Sequence, residues 1–383
     1  MVMNGKLYIE KRITVESLYN SLEDWNDILL SSRVKEITVS FQNLEYISAD
    51  AIVPCMRAMV ILAKSVFRKC EISKEISVVE STSTAFLFLY HIKMFEALED
   101  YYCLSDEQRM KLDYLVVNKK FNLNNRVLGI KPFDYMKHEM LEHYDLPVND
   151  NDEVSGRYIR DILTARIRRT IEYAYSGTLS YLSDINGAQY VDSVMWIICE
   201  LVTNAIFHGR REAFMFFQRG ITLPSFLKYS ADKCEGILVS VGDTGVGFKK
   251  SLARKSEISY LEEINVILDR IKEKYLHDLS VRDSRVVEDL CAIYTAIYYS
   301  KYKQDNESRY GLYSLIEEVV RWNGRVSVYY GNCRIMIEEK IEDFGKFIEG
   351  MIKSYFVCKE KRNISYMAKQ IPGVQIDIEI LKR

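Results

Sequence analysis

The chain has no apolar run approaching the roughly 20 residues that cross a bilayer, so no membrane-spanning helix is expected. Its first residues, Met1 to Lys11, alternate apolar and charged positions and lack the apolar core of a signal peptide. Among its cysteines (Cys55, Cys70, Cys103, Cys199, Cys234, Cys291, Cys333 and Cys358) no pair has Cys-x-x-Cys spacing, which argues against structural zinc. Several sit inside apolar runs as small core residues, and a reduced, cytoplasmic setting is expected. The net charge is only −2, which gives no general pull toward nucleic acid or an anionic membrane. Internal repeats and low-complexity segments are also missing.

What is present is a chain of 383 residues, 48% apolar and 28% charged, enough for two or three packed domains. Residues 1–100 alternate strand and helix signals. Strands are read at Lys6–Ile13, Glu36–Phe41 and Glu75–Val79, and helices at Val15–Leu30, Ser48–Phe67 and Thr82–Phe95. That alternation predicts an α/β layer. Residues 101–155 are irregular, and the polar run Val148 to Glu153 reads as a domain boundary. Beyond it, Tyr158–Leu182 reads as a helix. Its arginines 157, 160, 166, 168 and 169 read either as a solvated face or as contacts to a partner domain or phosphate. Ile237–Val241, Arg325–Tyr330, Cys333–Glu338 and Val374–Leu381 read as strands, with Gly331-Asn332 as a hairpin turn. Glu342–Lys369 reads as a helical excursion. The fold class expected is α/β (α+β).

Three segments carry the chemistry. In the first, an apolar helix holds Glu200, Asn204 and His208 at i, i+4 and i+8, one polar stripe among Val194, Ile197, Ile198, Leu201, Val202 and Ile206. Such a stripe is either exposed or partnered, because burying it unpaired is costly. A carboxylate there can orient or deprotonate a water, and an amide oxygen suits Mg²⁺. In the second, Gly242-Asp243-Thr244-Gly245-Val246-Gly247 follows a strand. Asp243 is placed to accept from an exocyclic amine, and Gly245 and Gly247 permit a sharp turn and close backbone approach. A plain glycine turn is the alternative. In the third, Gly311 precedes the helical run Leu312–Val320; it reads either as an ordinary loop-to-helix entry or as a phosphate site on exposed N–H groups, to which Arg309 could add charge.

Their order resembles the GHKL ATP-binding fold, shared by histidine kinases, anti-sigma-factor serine kinases, gyrase and mismatch-repair ATPases. Glu200–Gly209 looks like its N box, Asp243–Gly247 its G1 box and Arg309–Leu312 its G2 box. The resemblance covers about residues 157–340 and 371–383. It implies a two-layer α/β sandwich, ATP and Mg²⁺ as ligands, and Glu200 as catalytic base or water-orienting residue. It further implies Asn204 as the Mg²⁺ ligand, Asp243 on adenine, and His208, Gly245, Gly247, Arg309, Gly311 and Leu312 at the nucleotide.

The sequence departs from that pattern in places. Arg309 stands where the G2 box has its first glycine, and Phe207 where kinases often have a basic residue. Residues 249–308 form a long helical lid insertion, with helices at Tyr260–Leu276 and Val286–Tyr299. Residues 211–235 read as a second, Phe-rich insertion, and 342–370 as a helical one.

Residues 1–100 resemble a STAS domain of the anti-sigma-factor-antagonist type, on Ile37–Phe41, Tyr46–Ile52 and the long helix that follows. Asp50 stands near the position of the phosphorylated serine of that family. It reads as a helix-terminal charge or as a fixed phosphoserine mimic, with Ser48 a further acceptor candidate. His138 in Lys137-His138-Glu139-Met140 is the only candidate phosphoacceptor of a histidine kinase, but no second long helix completes a hairpin around it. His138 and His143 read as surface residues, and His91 as a core or edge residue.

The expected organisation is thus a STAS-like domain (1–100), a connecting region (101–155) and a GHKL ATP-binding domain (156–383). The expected function is an ATP-Mg-binding ATPase switch in a bacterial-type regulatory, stress or phage-defence system, with a protein partner and ATP-dependent homodimerisation. A protein serine kinase and a non-hydrolysing scaffold are the alternatives.

Overall fold

A computed structural model of the chain describes residues 5–30, 36–68, 75–79, 83–91, 94, 115–117, 142–145, 165, 188–209, 212–222, 235–253, 261–275, 280–307, 311–356, 364–367 and 370–381. It mixes helix and strand, and divides into two compact units: Met1–His143 with Phe214–Gln218, and Tyr144–Ala213 with Arg219–Arg383.

In the first unit β1 (Gly5–Tyr8), β3 (Glu36–Ser40), β5 (Glu75–Val79) and β6 (Leu115–Val117) form a parallel sheet in that order. Parallel neighbours need crossovers. Helices α1 (Val15–Leu30) and α2 (Ile52–Arg68) supply the first two. The start of α1 is fixed by a reciprocal cap. Thr14 Oγ1 accepts the Ser17 N–H at 3.1 Å, and Ser17 Oγ accepts the Thr14 N–H at 2.9 Å. Its buried residues Val15, Leu18, Tyr19 and Leu22 repeat at helical spacing.

The strand read at Lys6–Ile13 is two elements, because after β1 the chain turns to pair β2 (Arg12–Ile13) with β4 (Tyr46–Ile47). The helix read from Ser48 begins as a 3₁₀ turn, Ala49–Ala51, and α3 (Thr84–His91) is shorter than its apolar run. The Ser48 hydroxyl donates to Asp50 Oδ1 at 2.5 Å.

The second unit holds α4 (Ala188–Gly209), β9 (Glu235–Gly242), α5 (Gly247–Leu252), α6 (Leu261–Tyr275), α7 (Val281–Glu307) and α8 (Leu312–Arg321). After them come β10 (Arg325–Tyr330), β11 (Cys333–Ile337), α9 (Phe344–Phe356), β12 (Ile364–Tyr366) and β13 (Val374–Leu381). With β7 (Glu142–Asp145) and β8 (Glu212–Thr222) the sheet order is β12-β11-β10-β13-β9-β8-β7. The last strand thus lies between β10 and β9, antiparallel to both.

Alternation divides the side chains of this sheet between its faces. Val239, Val241, Ile378, Ile380, Val326, Val328, Ile335 and Ile337 share the apolar face. Helix α4 packs on β9 and β13, α8 on β10 and β13, and α7 on β11. The opposite face carries Ser240, Gln375, Asp377, Ser327, Arg325 and Glu379, all buried. Such groups need partners. Ser240 Oγ donates to Asp377 Oδ1 at 2.5 Å, Gln375 Nε2 donates to the same oxygen at 2.9 Å, and Arg325 is paired with Glu379.

Three expectations for the stretch from 211 to 370 are refined. The Phe-rich stretch read as an insertion contains β8, with Ala213–Phe217 buried, because its continuous apolar run suits a sheet interior. The excursion at 342–370 is one helix followed by β12. The second helix of the stretch read as a lid is α7, which buries Val286, Val287, Leu290, Ile293, Tyr294 and Ile297 and packs on α8 and β11. It packs within the helical layer. The helix read at 158–182 and the boundary read at 148–153 lie outside the described residues, apart from Ala165.

Candidate nucleotide site

Helices α4 and α8 are joined side by side. The Tyr190 and Trp322 rings meet edge to face with centroids 4.9 Å apart, and Ser193 Oγ donates to Glu318 Oε1 at 2.6 Å. Going up α4 from 190 to 193 goes down α8 from 322 to 318, so the helices run antiparallel. Tyr190, Ser193, Ile197, Glu200 and Asn204 follow 3–4 spacing on one stripe of α4. Trp322, Glu318, Leu315 and Gly311 do the same on α8. Glu200 lies seven residues beyond Ser193, and Gly311 lies seven before Glu318. At 1.5 Å per residue both are about 10 Å from the Ser193–Glu318 bond, in the same direction. On ideal helix spacing, Glu200 and Gly311 therefore fall at similar axial distances from that bond.

Glu200 is buried, 7% exposed, and accepts from Asn204 Nδ2 at 3.0 Å. That bond uses the amide nitrogen of Asn204, so the other end of the same amide is an oxygen, the donor type Mg²⁺ takes. Thr203 turns its hydroxyl back onto the Cys199 carbonyl at 2.6 Å. His208 belongs to α4 by its backbone, but its side chain lies outside the described residues.

Helix α4 also packs on β9 and α5, the two elements that flank the second segment. Asp243 follows β9 and is 3% exposed. Its Oδ1 accepts the Gly245 N–H at 2.7 Å, and its Oδ2 accepts the Val374 N–H at 3.3 Å. Its own N–H donates to the Val374 carbonyl at 2.9 Å. The backbone thus holds this carboxylate in one orientation.

The glycines have local reasons. Gly247 has φ +70°, and a Cβ there would stand 2.5 Å from Tyr330 Cε2. Gly311 is extended (φ −179°), and a Cβ there would stand 2.6 Å from Ser300 Oγ. That hydroxyl, from α7, accepts the Tyr313 N–H at 3.0 Å and so caps α8. Leu312 is turned inward, 9% exposed, so its side chain belongs to the core. Arg309 lies outside the described residues.

Sequence reasoning missed Ser300, Tyr330 and Asp289. Asp289 is 4% exposed on α7, 3.3 Å from the Lys249 ammonium. Burial alone would lower the pKa of Lys249, but Asp289 and Glu288 beside it raise it overall. No sequence signal marked these residues, because their partners are far along the chain.

Among the described residues no three His, Cys, Asp or Glu side chains stand together as a metal cage. A divalent ion here would rest on Asn204 and on the oxygens of a bound phosphate chain, the usual manner of Mg²⁺. No helix among the described residues is long and apolar enough to cross a membrane. Comparison with protein-family models, curated proteins and solved structures finds no match.

Proposed function

We propose that the protein binds ATP with Mg²⁺ in a GHKL-type pocket and hydrolyses it slowly, as a nucleotide-dependent conformational switch. The observation that carries this is the antiparallel pairing of α4 and α8 through Tyr190–Trp322 and Ser193–Glu318; on ideal helix spacing Glu200 and the helix start at Gly311 fall at similar axial distances from that contact. A helix start offers N–H groups and a positive dipole end to phosphate. Asp243 accepts the exocyclic amine of adenine, Asn204 presents its amide oxygen to the metal, and Glu200 orients or deprotonates the attacking water. Mg²⁺, when bound, supplies charge neutralisation on the phosphates.

In the same proposal the first unit is a STAS-like module that docks a protein partner or the ATPase unit. Support there is the parallel sheet with helical crossovers and the Ser48–Asp50 pair at the start of α2. A bacterial-type regulatory, stress or phage-defence role, in the cytoplasm and with ATP-dependent homodimerisation, completes the proposal.

The test follows γ-labelled ATP with the purified protein and Mg²⁺, beside Glu200→Ala, Asn204→Ala and Asp243→Asn. Free labelled phosphate is expected from the wild type, lost in the first two variants and on chelation of Mg²⁺. ATP binding is expected to be lost in Asp243→Asn. Label retained on protein would replace the switch by a serine kinase. Binding without turnover would leave a scaffold, and unchanged affinity in Asp243→Asn would remove the pocket.

A further inference from the structure

Asp243 is held from behind by a chain of side chains that begins on α7. Asp289 Oδ2 accepts the Asn332 N–H at 2.7 Å, at the turn between β10 and β11. The same carboxylate reaches the Lys249 ammonium at 3.3 Å, on the helix that follows the Asp243 loop. Gly331, with φ +60°, leaves this carboxylate its room, since a Cβ there would stand 2.2 Å from Asp289 Oδ2.

Asn332 passes the constraint onward. Its Nδ2 donates to the Met367 carbonyl at 2.7 Å, its carbonyl accepts the Met367 N–H at 2.9 Å, and its Oδ1 accepts from Gln370 Nε2 at 2.8 Å. Four residues beyond Gln370 stands Val374, the residue that binds Asp243 through both its N–H and its carbonyl. Between them lies Pro372, which fixes its own φ and restricts Ile371. A short, stiff tether therefore joins Asn332 to Asp243, and Gly373 at φ +90° lets it pass directly against the Asp243 backbone.

We infer that Asp289, Asn332 and Gln370 are positioning residues that set the Asp243 carboxylate for reading the nucleobase. This rests on the ATP-site reading above. A donor–carboxylate bond depends steeply on distance and angle, so a displaced Asp243 loses base discrimination before it loses the triphosphate.

The test measures the affinity of the full chain for ATP with Mg²⁺ and for inosine triphosphate with Mg²⁺, which carries an oxo group in place of the exocyclic amine. Wild type is compared with Asp289→Asn and with Gln370→Ala, the latter at an exposed position. The wild type should prefer ATP. Asp289→Asn should weaken ATP by about tenfold, the scale of one charge-assisted hydrogen bond, and leave inosine triphosphate unchanged. Gln370→Ala should shift the ratio in the same direction by less, with its melting temperature near wild type.

If both nucleotides weaken together, or the ratio holds in both variants, the chain serves the fold alone and the inference is overturned. A wild type that binds both nucleotides equally would remove the assigned role of Asp243, and this inference with it. A wild type that binds neither would overturn the ATP-site reading itself.

Discussion

The two ends of the α4–α8 pair are built differently. At one end Tyr190 meets Trp322 and Ser193 bonds Glu318, and Trp322 Nε1 donates to Glu318 Oε1 at 3.0 Å, so aromatic packing and neutral donors close the contact. At the other end Glu200, Asn204 and the backbone at Gly311 stand without an aromatic ring on that stripe. The first arrangement gains stability from packing and paired polar groups. The second keeps a carboxylate and an amide near a helix start, which adds little to stability and suits a phosphate ligand. In the proposed reading, one pair of helices divides anchoring from chemistry along its length.

The largest expected effect comes from the polar end. Glu200→Ala should lower ATP turnover by roughly 10²- to 10⁴-fold, the range of general acid–base groups, with ATP affinity near wild type. Phosphate release set beside a binding isotherm checks this. Unchanged turnover would mean that the polar end has no catalytic part.

The anchor end should behave in the opposite way. Tyr190→Ala removes a ring that is 1% exposed and should cost about 3 kcal/mol of stability. Turnover per folded molecule should stay close to wild type. A denaturant midpoint together with kcat at low temperature separates the two quantities. Equal losses in both would erase the division between the ends.

A smaller effect is expected where the sheet meets α7. Gly331→Ala forces a left-handed residue to carry a Cβ, at roughly 1–2 kcal/mol, before any collision with Asp289. It should lower the melting temperature and leave Tyr190–Trp322 fluorescence in the folded state unchanged. A stability equal to wild type would show that the turn relaxes freely.

The sequence made the elements legible where periodicity is strong. The α4 stripe, the hairpin at Gly331-Asn332 and the strand at Val374–Leu381 are visible from spacing alone. The register Tyr330↔Cys333 with a positive φ at Gly331 is the two-residue loop that the glycine suggests. Strand β8 was hidden because Phe214, Phe216 and Phe217 form a continuous apolar run with no alternation. The candidate site was legible as residue types and not as reasons. Gly247 and Gly311 read as places for a ligand, yet Tyr330 and Ser300 already require their lack of a side chain. Those partners lie 83 and 11 residues away, so local spacing carries no trace of them.

The smallest effect is also the sharpest test of the anchor. Among the described residues the buried Tyr190 hydroxyl has no hydrogen-bond partner, while the ring does the packing against Trp322. A buried hydroxyl left unpaired costs free energy on the order of 1 kcal/mol or more. Tyr190→Phe keeps the ring and removes that cost, so stability should hold or rise by up to about 1 kcal/mol. Burial raises the pKa of this phenol above its ordinary value near 10. The unfolded chain then ionises first, and the wild type loses stability as pH climbs through that window. The phenylalanine variant has no such group, so its advantage should widen above pH 10 and stay constant below it. A variant less stable than wild type at neutral pH would show that the hydroxyl holds the helices together, and the anchor would then be polar at both ends.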